Sequence, residues 1–332
     1  MSDINVLVLS AGRRVELINC FKHAAEELGV SGSVVAVDCS QTAPALYFAD
    51  KYRLVPRIDS GRYVEAVTDI CKEENISLIV PTIDTELILL ADNKKRIEDE
   101  TGARLLISDP SVINVCRNKL NTQRYMEEHG FKVPHLYSDE ELGNGDIQFP
   151  VFVKPIDGSS SIDAYRADNR EQLDAILTLV KDPMVQDYMD GKEYTIDVFL
   201  DFGSNIITMV PRLRMATRSG EIAKGRIVKD TEIMEDVRRL MNELKPVGHI
   251  TVQCRKTNRG IEYIEINPRF GGGAPMSIMA GADSCRNLYR LLRGEVLTYN
   301  EDYRENVTFL RFDSCIMLNE DMVPEDEKGS NI

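Results

Sequence analysis

The stretch IEYIEINPRFGGGAP, residues Ile261–Pro275, decides how the rest of the chain is read. Side chains two apart on a strand face the same way, so Glu265 and Asn267 share a face and Ile264 and Ile266 turn to the other. The run HITVQC precedes it across the short connection RKTNRG, and antiparallel pairing would set Gln253 opposite this region. One carboxylate and two amide oxygens then converge, a hard oxygen set suited to Mg²⁺, with Mn²⁺ as the alternative. Arg269 adds a planar fork of donors for a phosphoryl group, and the glycines that follow, Gly271 and Gly272 among them, offer amides to an anion. A polar strand face paired with neighbouring arginines is the competing reading. Against it, Pro268 removes a ladder hydrogen bond and the glycine triplet weakens the structure after it.

Moving toward the N-terminus, two lysines suit charge neutralisation of phosphate oxygens. Lys119 opens a helix, and Lys154 closes the apolar strand PVFVKP just before the polar loop DGSSS. In that loop Gly158 permits close backbone approach, while Ser159, Ser160 and Ser161 bring hydroxyls and successive amides toward an anion. No GxxxxGK[ST] loop or GxGxxG fingerprint is present, so neither a Walker site nor a dinucleotide fold is indicated. The segment MVQDYMDGKEYTIDVF reads as strand, turn, strand. Gln186 and the backbone of Asp187, Tyr188 and Met189 are candidates to read a purine edge, with Glu193 for ribose hydroxyls; an ordinary hairpin explains the same pattern. In VPRLRMATRSGEIAKGRIV, Arg212 and Arg214 share a strand face, and Arg214 and Lys224 are candidates to hold an acceptor carboxylate or a γ-phosphate. A solvated basic loop is the alternative there.

The first hundred residues alternate apolar strands with helices of 12 residues or more, which predicts a mostly parallel α/β sheet with ligands beyond its carboxyl ends. Ser10, Gly12 and Arg13 follow the first strand; Asp84 and Glu86 follow PT at the end of ISLIVPT. Arg13 would suit a carboxylate and Asp84 an ammonium group, although Asp84 as helix cap and Glu86 in a first turn serve structure equally well. After residue 113 the pattern changes to short alternating strands with helices between, and the acidic segment SDEELGNGDIQ reads as a surface connection.

Among 332 residues, 43% are hydrophobic and 28% charged, which fits a folded chain of two or three packed units. The net charge of −14 argues against nucleic acid and membrane surfaces as partners. Seven scattered cysteines without a CxxC pair point to a reducing compartment, and without a leader or long apolar run the expectation is cytoplasmic. A homodimer stays open.

The order Lys119, VKPIDGSSS, VQDYMDGKEYTIDVF, Gln253 and EINPRFGGG resembles the ATP-grasp superfamily. With LSAGRRVEL near the start, it is similar to the carbamoyl-phosphate synthase large-subunit-like carboxylate–amine ligases. The resemblance implies a pre-ATP-grasp α/β domain over 1–113, a small lobe with a phosphate-covering loop over 114–190, a C-terminal lobe over 191–318 and an acidic tail. ATP would lie between the lobes, with phosphates on Lys119, Lys154 and Gly158–Ser161, adenine at Gln186, ribose at Glu193 and magnesium on Gln253, Glu265 and Asn267. Arg269 would stabilise the phosphoryl intermediate. The implied reaction activates a small carboxylate as an acyl phosphate and joins it to an amine, an amino acid being one candidate. A kinase that stops at a phosphorylated product and a non-catalytic ATP-binding regulator are the rivals. The relatives' hinge residue is more often glutamate than the glutamine found here at 186.

Overall fold

The computed structural model describes residues 3–157 and 162–325. The expected phosphate-covering loop, Gly158, Ser159, Ser160 and Ser161, therefore lies outside the described residues, as do Asp326 and Glu327 of the acidic tail. In chain order the first elements are β1 (Asn5–Val8), α1 (Val15–Glu27), β2 (Val34–Asp38), β3 (Lys51–Leu54), α2 (Tyr63–Glu73), β4 (Ile76–Val80), α3 (Leu87–Thr101) and β5 (Arg104–Leu105). Then come α4 (Pro110–Arg117), α5 (Lys119–Glu128), α6 (Asp139–Asn144), β6 (Val151–Pro155), β7 (Tyr165–Ala167), α7 (Arg170–Leu177), β8 (Pro183–Asp187), β9 (Gly191–Leu200), β10 (Ile206–Arg218) and β11 (Glu221–Ile227). The last are α8 (Thr231–Leu244), β12 (Gly248–Thr257), β13 (Gly260–Asn267), α9 (Ala274–Met279), α10 (Ser284–Leu292) and β14 (Thr308–Leu310). Among the described residues no helix is long and apolar enough to cross a membrane.

Two compact units result: Met1–Ile107 with Asp283–Leu297 and Arg311–Ile332, and Ser108–Ala282 with Thr298–Leu310. In the first, five parallel strands run in the order β3-β2-β1-β4-β5, as the strand–helix alternation predicts. The runs Val6–Leu9 and Val34–Val37 are buried throughout, the mark of a parallel sheet covered on both faces. The edge strand β3 escaped the sequence reading because three of its four residues are exposed and no apolar alternation betrays it. Residues 283–297 belong here rather than with the C-terminal lobe that 191–318 was expected to form. The physical reason is α10, which packs on α1: Phe21 meets Tyr289 edge-on at 6.2 Å, Arg286 pairs with Glu27, and Arg293 Nη2 donates to the Leu28 carbonyl at 3.2 Å.

The second unit holds two antiparallel sheets. The smaller, β7-β6-β8, carries its own apolar cluster around Val151, Val153, Leu173 and Val185. The segment expected to be a plain connection contains the short helix α6, set by a capping box in which Ser138 Oγ accepts from the Glu141 amide and Glu141 accepts from the Ser138 amide.

The larger sheet runs β13-β12-β9-β10-β11-β14. Alternation gives it two faces of opposite character. Tyr194, Ile196, Val198, Val252, Cys254 and Ile266 pack against Ile233, Val237, Leu240 and Leu244 of α8. On the other face register aligns polar residues in rows: Gln253 lies opposite both Thr195 and Glu265, and Thr251 opposite both Asp197 and Asn267. Along those rows Arg212 Nε and Nη2 grip the Asp197 carboxylate at 2.7 and 2.9 Å, both residues almost wholly buried. Ser277 Oγ donates to the same carboxylate at 2.5 Å, and the His249 ring approaches it at 3.5 Å.

Burial alone would push the Asp197 carboxyl up, but Arg212 and His249 outweigh burial and hold it well below the usual carboxylate range. A depressed native pKa contributes stability that is full above the unfolded value of about 3.9 and lost as pH falls below it. Asp197→Ala strands the buried Arg212 charge, and urea unfolding at pH 7 should show a loss of about 3–5 kcal/mol. The gap from the parent protein should narrow below pH 4.

Candidate functional site

A cavity of about 300 Å³ opens in the second unit, within the range typical of small-molecule sites. Lys154 and Gln186 reach it from the small sheet, Tyr188 and Met189 from the linker between β8 and β9, and Glu193, Gln253 and Glu265 from the large sheet. Lys119, the first residue of α5, completes that wall. Residues up to 146 positions apart in sequence, Lys119 and Glu265, thus line one space.

The three oxygen-bearing residues stand together. Glu265 Oε1 accepts from Gln253 Nε2 at 2.9 Å and from Asn267 Nδ2 at 2.7 Å, and Arg269 Nη2 donates to Asn267 Oδ1 at 3.2 Å. With their amide groups turned, Gln253 and Asn267 would present carbonyl oxygens beside the carboxylate, so the donor set fits a hard divalent ion that keeps waters and takes further oxygens from a substrate. Among the described residues no cluster of three His, Cys, Asp or Glu side chains could hold a metal without such help.

Lys154 is buried on β6. Burial draws its ammonium down to about 8, Glu265 partly restores it and Lys119 lowers it further. Lys119 Nζ donates to the Ile156 carbonyl at 3.0 Å, which ties α5 to the end of β6 where the loop begins. Gln186 is buried at the cavity wall. The Asp187 side chain turns elsewhere: its carboxylate accepts from Tyr137 Oη at 2.8 Å and Arg259 Nη1 at 3.2 Å, so only its backbone can serve a ligand. The amides of Asp187 and Tyr188 already donate to the carbonyls of His135 and Pro150. Glu193 faces the cavity and is clamped, Oε1 by Arg214 Nε and Oε2 by Arg255 Nη2, each at 2.8 Å. Arg214 also reaches Thr195 Oγ1 at 3.2 Å and the Gly220 carbonyl at 2.8 Å, binding the β10–β11 turn to the wall.

Other candidates stand apart. Arg212 shares the face of Arg214 but is spent on Asp197 below the surface, so it supports the site rather than meeting a substrate. Lys224 is exposed on β11, outside the residues that line the cavity. Packing alone requires the glycines after β13 to be small. Their φ angles are not left-handed; a Cβ at Gly271 would sit 2.9 Å from Thr251 Oγ1, and one at Gly273 would sit 2.4 Å from Arg212 Nη1. The turn carrying Gly272 is thereby pressed onto the buried ion pair.

In the first unit, Ser10 and Gly12 adopt positive φ at the carboxyl end of β1. Ser10 Oγ donates to Glu86 at 2.6 Å, and the Gly12 amide donates to Asp38 at 2.9 Å. Arg13 is exposed and 3.6 Å from Asp313. Glu86 cannot meet a ligand: it is wholly buried and accepts also from Tyr63 Oη and the amides of Thr82 and Ile83, closing the turn Asp84–Glu86 ahead of α3. Its oxygens are occupied by the fold.

Among the wall residues that sequence reasoning missed are Ile264 and Arg255. Ile264 was assigned to the core face, but a register shift between Gln253 and Cys254 brings it into the cavity beside Glu265. Arg255 was passed over as part of a hairpin connection; it lies inside β12 opposite Glu193, and the two-residue spacing from Gln253 was the available signal.

Solved structures share this fold. The biotin carboxylase domain of Hydrogenobacter thermophilus 2-oxoglutarate carboxylase, solved with MgADP, ADP and bicarbonate, superposes with a TM-score of 0.71 at 20% identity, over 93% of this chain and 74% of that one. Staphylococcus aureus N5-carboxyaminoimidazole synthetase complexed with ADP gives 0.70 at 16% identity, over 90% and 80%. A family described as "ATP-grasp in the biosynthetic pathway with Ter operon" matches residues 180–313. The chain has the ATP-grasp fold. Ahead of its ATP-grasp region, residues 6–105 match a family described as "PylC-like, N-terminal domain". Curated proteins with which this ATP-grasp chain aligns include a carbamoyl-phosphate synthase of Methanobrevibacter smithii, 22% identical over 53% of this chain and 48% of that protein. A D-alanine–D-alanine ligase of Fusobacterium nucleatum subsp. nucleatum is 26% identical over 34% and 36%. The chain thus spans about half or less of the length of these two relatives.

Two measurements probe the geometry. An unfolded lysine keeps its proton to about pH 10.4, higher than the folded Lys154 does. Unfolding therefore takes up a proton between pH 8 and that value, and Lys154 makes the protein more stable, not less, as pH rises through the window. A lysine Cε resonance titrating near 8 should be present in the ligand-free protein and missing in Lys154→Met, whose stability should rise less over the same range. Gly273→Ala should cost about 1–3 kcal/mol through overpacking against Arg212, read as a lower urea midpoint.

Proposed function

We propose that the protein is an ATP-dependent enzyme that activates a small carboxylate as an acyl phosphate and joins it to an amine, as a carboxylate–amine ligase of the carbamoyl-phosphate synthase large-subunit-like kind. The observation that carries this reading is the meeting of Lys119 and Lys154 with Gln253 and Glu265 around one cavity that the β8–β9 linker and Glu193 also line. A purine fits the linker end, where Met189 has the backbone amide that His135 and Pro150 do not occupy. Ribose hydroxyls would donate to Glu193 and the triphosphate would run toward the lysines. Buried Lys154 gains most from such a partner, since phosphate oxygens would restore the proton that burial disfavours.

Gln253, Glu265 and Asn267 would hold Mg²⁺, which neutralises charge on the phosphates. Lys119 and Lys154 bind and orient the triphosphate. A carboxylate oxygen of the acid attacks the γ-phosphorus, the bond to the β–γ bridging oxygen breaks, and ADP leaves. The amine nitrogen then attacks the acyl carbon, the C–O bond to phosphate breaks, and the nitrogen gives up a proton. Arg214 and Arg269 stabilise the transferred phosphoryl charge, in keeping with the electrostatic character of this chemistry. Lys224, exposed on its strand, has the weakest claim to a share in this work. In the first unit, Arg13 and Asp84 remain candidates for an amino-acid substrate's carboxylate and ammonium groups.

Phosphate release should be screened with ATP, Mg²⁺ and pairs of small acids and amines, bicarbonate included among the acids. Release that needs both partners supports the ligase. A stable phosphorylated product without an amine would make it a kinase, and tight nucleotide binding with no turnover a regulator. Glu265→Gln should lower turnover on the order of a hundredfold or more with the fold unchanged; unchanged turnover would remove the metal role.

A further inference from the structure

Among the described residues, Arg255 is the one basic side chain at the cavity that no part of the proposed chemistry uses, and its contacts are specific. From β12 its Nη1 donates to the Met189 carbonyl at 3.0 Å and reaches the Gly191 carbonyl at 3.5 Å, while Nη2 donates to Glu193 Oε2 at 2.8 Å. One planar guanidinium therefore holds the linker between the two sheets and the first carboxylate of β9. Close packing reinforces the same junction: a Cβ on Gly191 would fall 2.3 Å from the Lys256 carbonyl, so the start of β9 lies flush on β12. Two guanidinium groups lie near the Tyr188 ring in the linker, Arg166 at 4.6 Å and Arg255 at 5.8 Å from its centre.

We infer that Arg255 is a positioning residue for the nucleoside, locking the base-reading linker to the ribose-binding carboxylate so that adenine and ribose are recognised as one unit, separately from the phosphates. This rests on the nucleotide reading of the cavity. Glu193 keeps the capacity to accept ribose hydroxyls while clamped, because an ionised carboxylate offers about four acceptor sites and the two arginines engage one on each oxygen. A lysine at 255 would be a point charge without the fork and would hold one partner at a time.

Calorimetric titration of the whole protein with MgADP and, separately, with inorganic tripolyphosphate tests the assignment. The wild type should bind both. Arg255→Ala should bind MgADP about tenfold more weakly or worse, the loss expected for charge-assisted hydrogen bonds, with tripolyphosphate affinity unchanged. Arg255→Lys, the milder change should alanine impair folding, should show the same split to a smaller degree. The wild type should also prefer ATP over 2′,3′-dideoxy-ATP, and that preference should shrink in both variants. A variant that binds MgADP as the wild type does, or loses MgADP and tripolyphosphate equally, overturns the inference alone. A wild type that binds tripolyphosphate but not MgADP overturns the nucleotide reading and this inference with it.

Discussion

The site depends on one register. Gln253 stands opposite Thr195 on one side and Glu265 on the other, so the polar side chains of β9, β12 and β13 fall into rows on a single face. A slip by one residue would exchange those rows with Tyr194, Val252 and Ile266, which pack against α8. The apolar core therefore sets which residues face the cavity, and the energy that fixes the site is hydrophobic rather than electrostatic. Without that burial, Glu265, Gln253 and Asn267 would have no reason to meet.

Within the same rows lies the other constraint, the Asp197–Arg212 pair. It is buried, supplemented by Ser277, and covered by the stacked rings of His249 and Phe270 at 4.3 Å. Such pairs add little net stability over an apolar replacement, so its value lies elsewhere. Here the guanidinium fills the space beneath Gly273, and Thr251, also against Asp197, fills that beneath Gly271. The turn after Asn267 and Arg269 is thus seated on fixed charges, which orders those two residues from below.

Much of this was legible in the sequence, for identifiable reasons. The N-terminal parallel sheet showed itself through uninterrupted apolar strands separated by amphipathic helices. The Glu265–Asn267 face followed from the two-residue period, and its pairing with Gln253 from a short connection. Long-range packing was invisible. Nothing in a period of two distinguishes Arg212, sunk against Asp197, from Arg214, which reaches the wall; which of them is buried depends on Ser277 and Gly273, far along the chain. A single-residue irregularity turned Ile264 around, and local sequence does not announce such shifts. Glu86 looked like a ligand because it ends a strand–turn segment, yet four donors from three separate segments consume it.

Charge at the cavity follows from the same economy of carboxylates. Lys119, Lys154, Arg214 and Arg255 line it against Glu193 and Glu265, a basic pocket in a chain of net charge −14. Glu193 is clamped between two arginines, so Glu265 alone is left to offset Lys154, and the two effects on that lysine, burial and the nearby Lys119, leave its proton weakly held. A cavity so charged has little attraction for a free divalent cation, because the one available carboxylate sits among positive groups. Under the proposed nucleotide reading, a polyanion bringing its own cation would answer this charge, since its phosphate oxygens would satisfy the lysines and would supply the ligands that one carboxylate and two amides cannot. On the reading proposed above, metal and triphosphate would therefore be captured together rather than in turn.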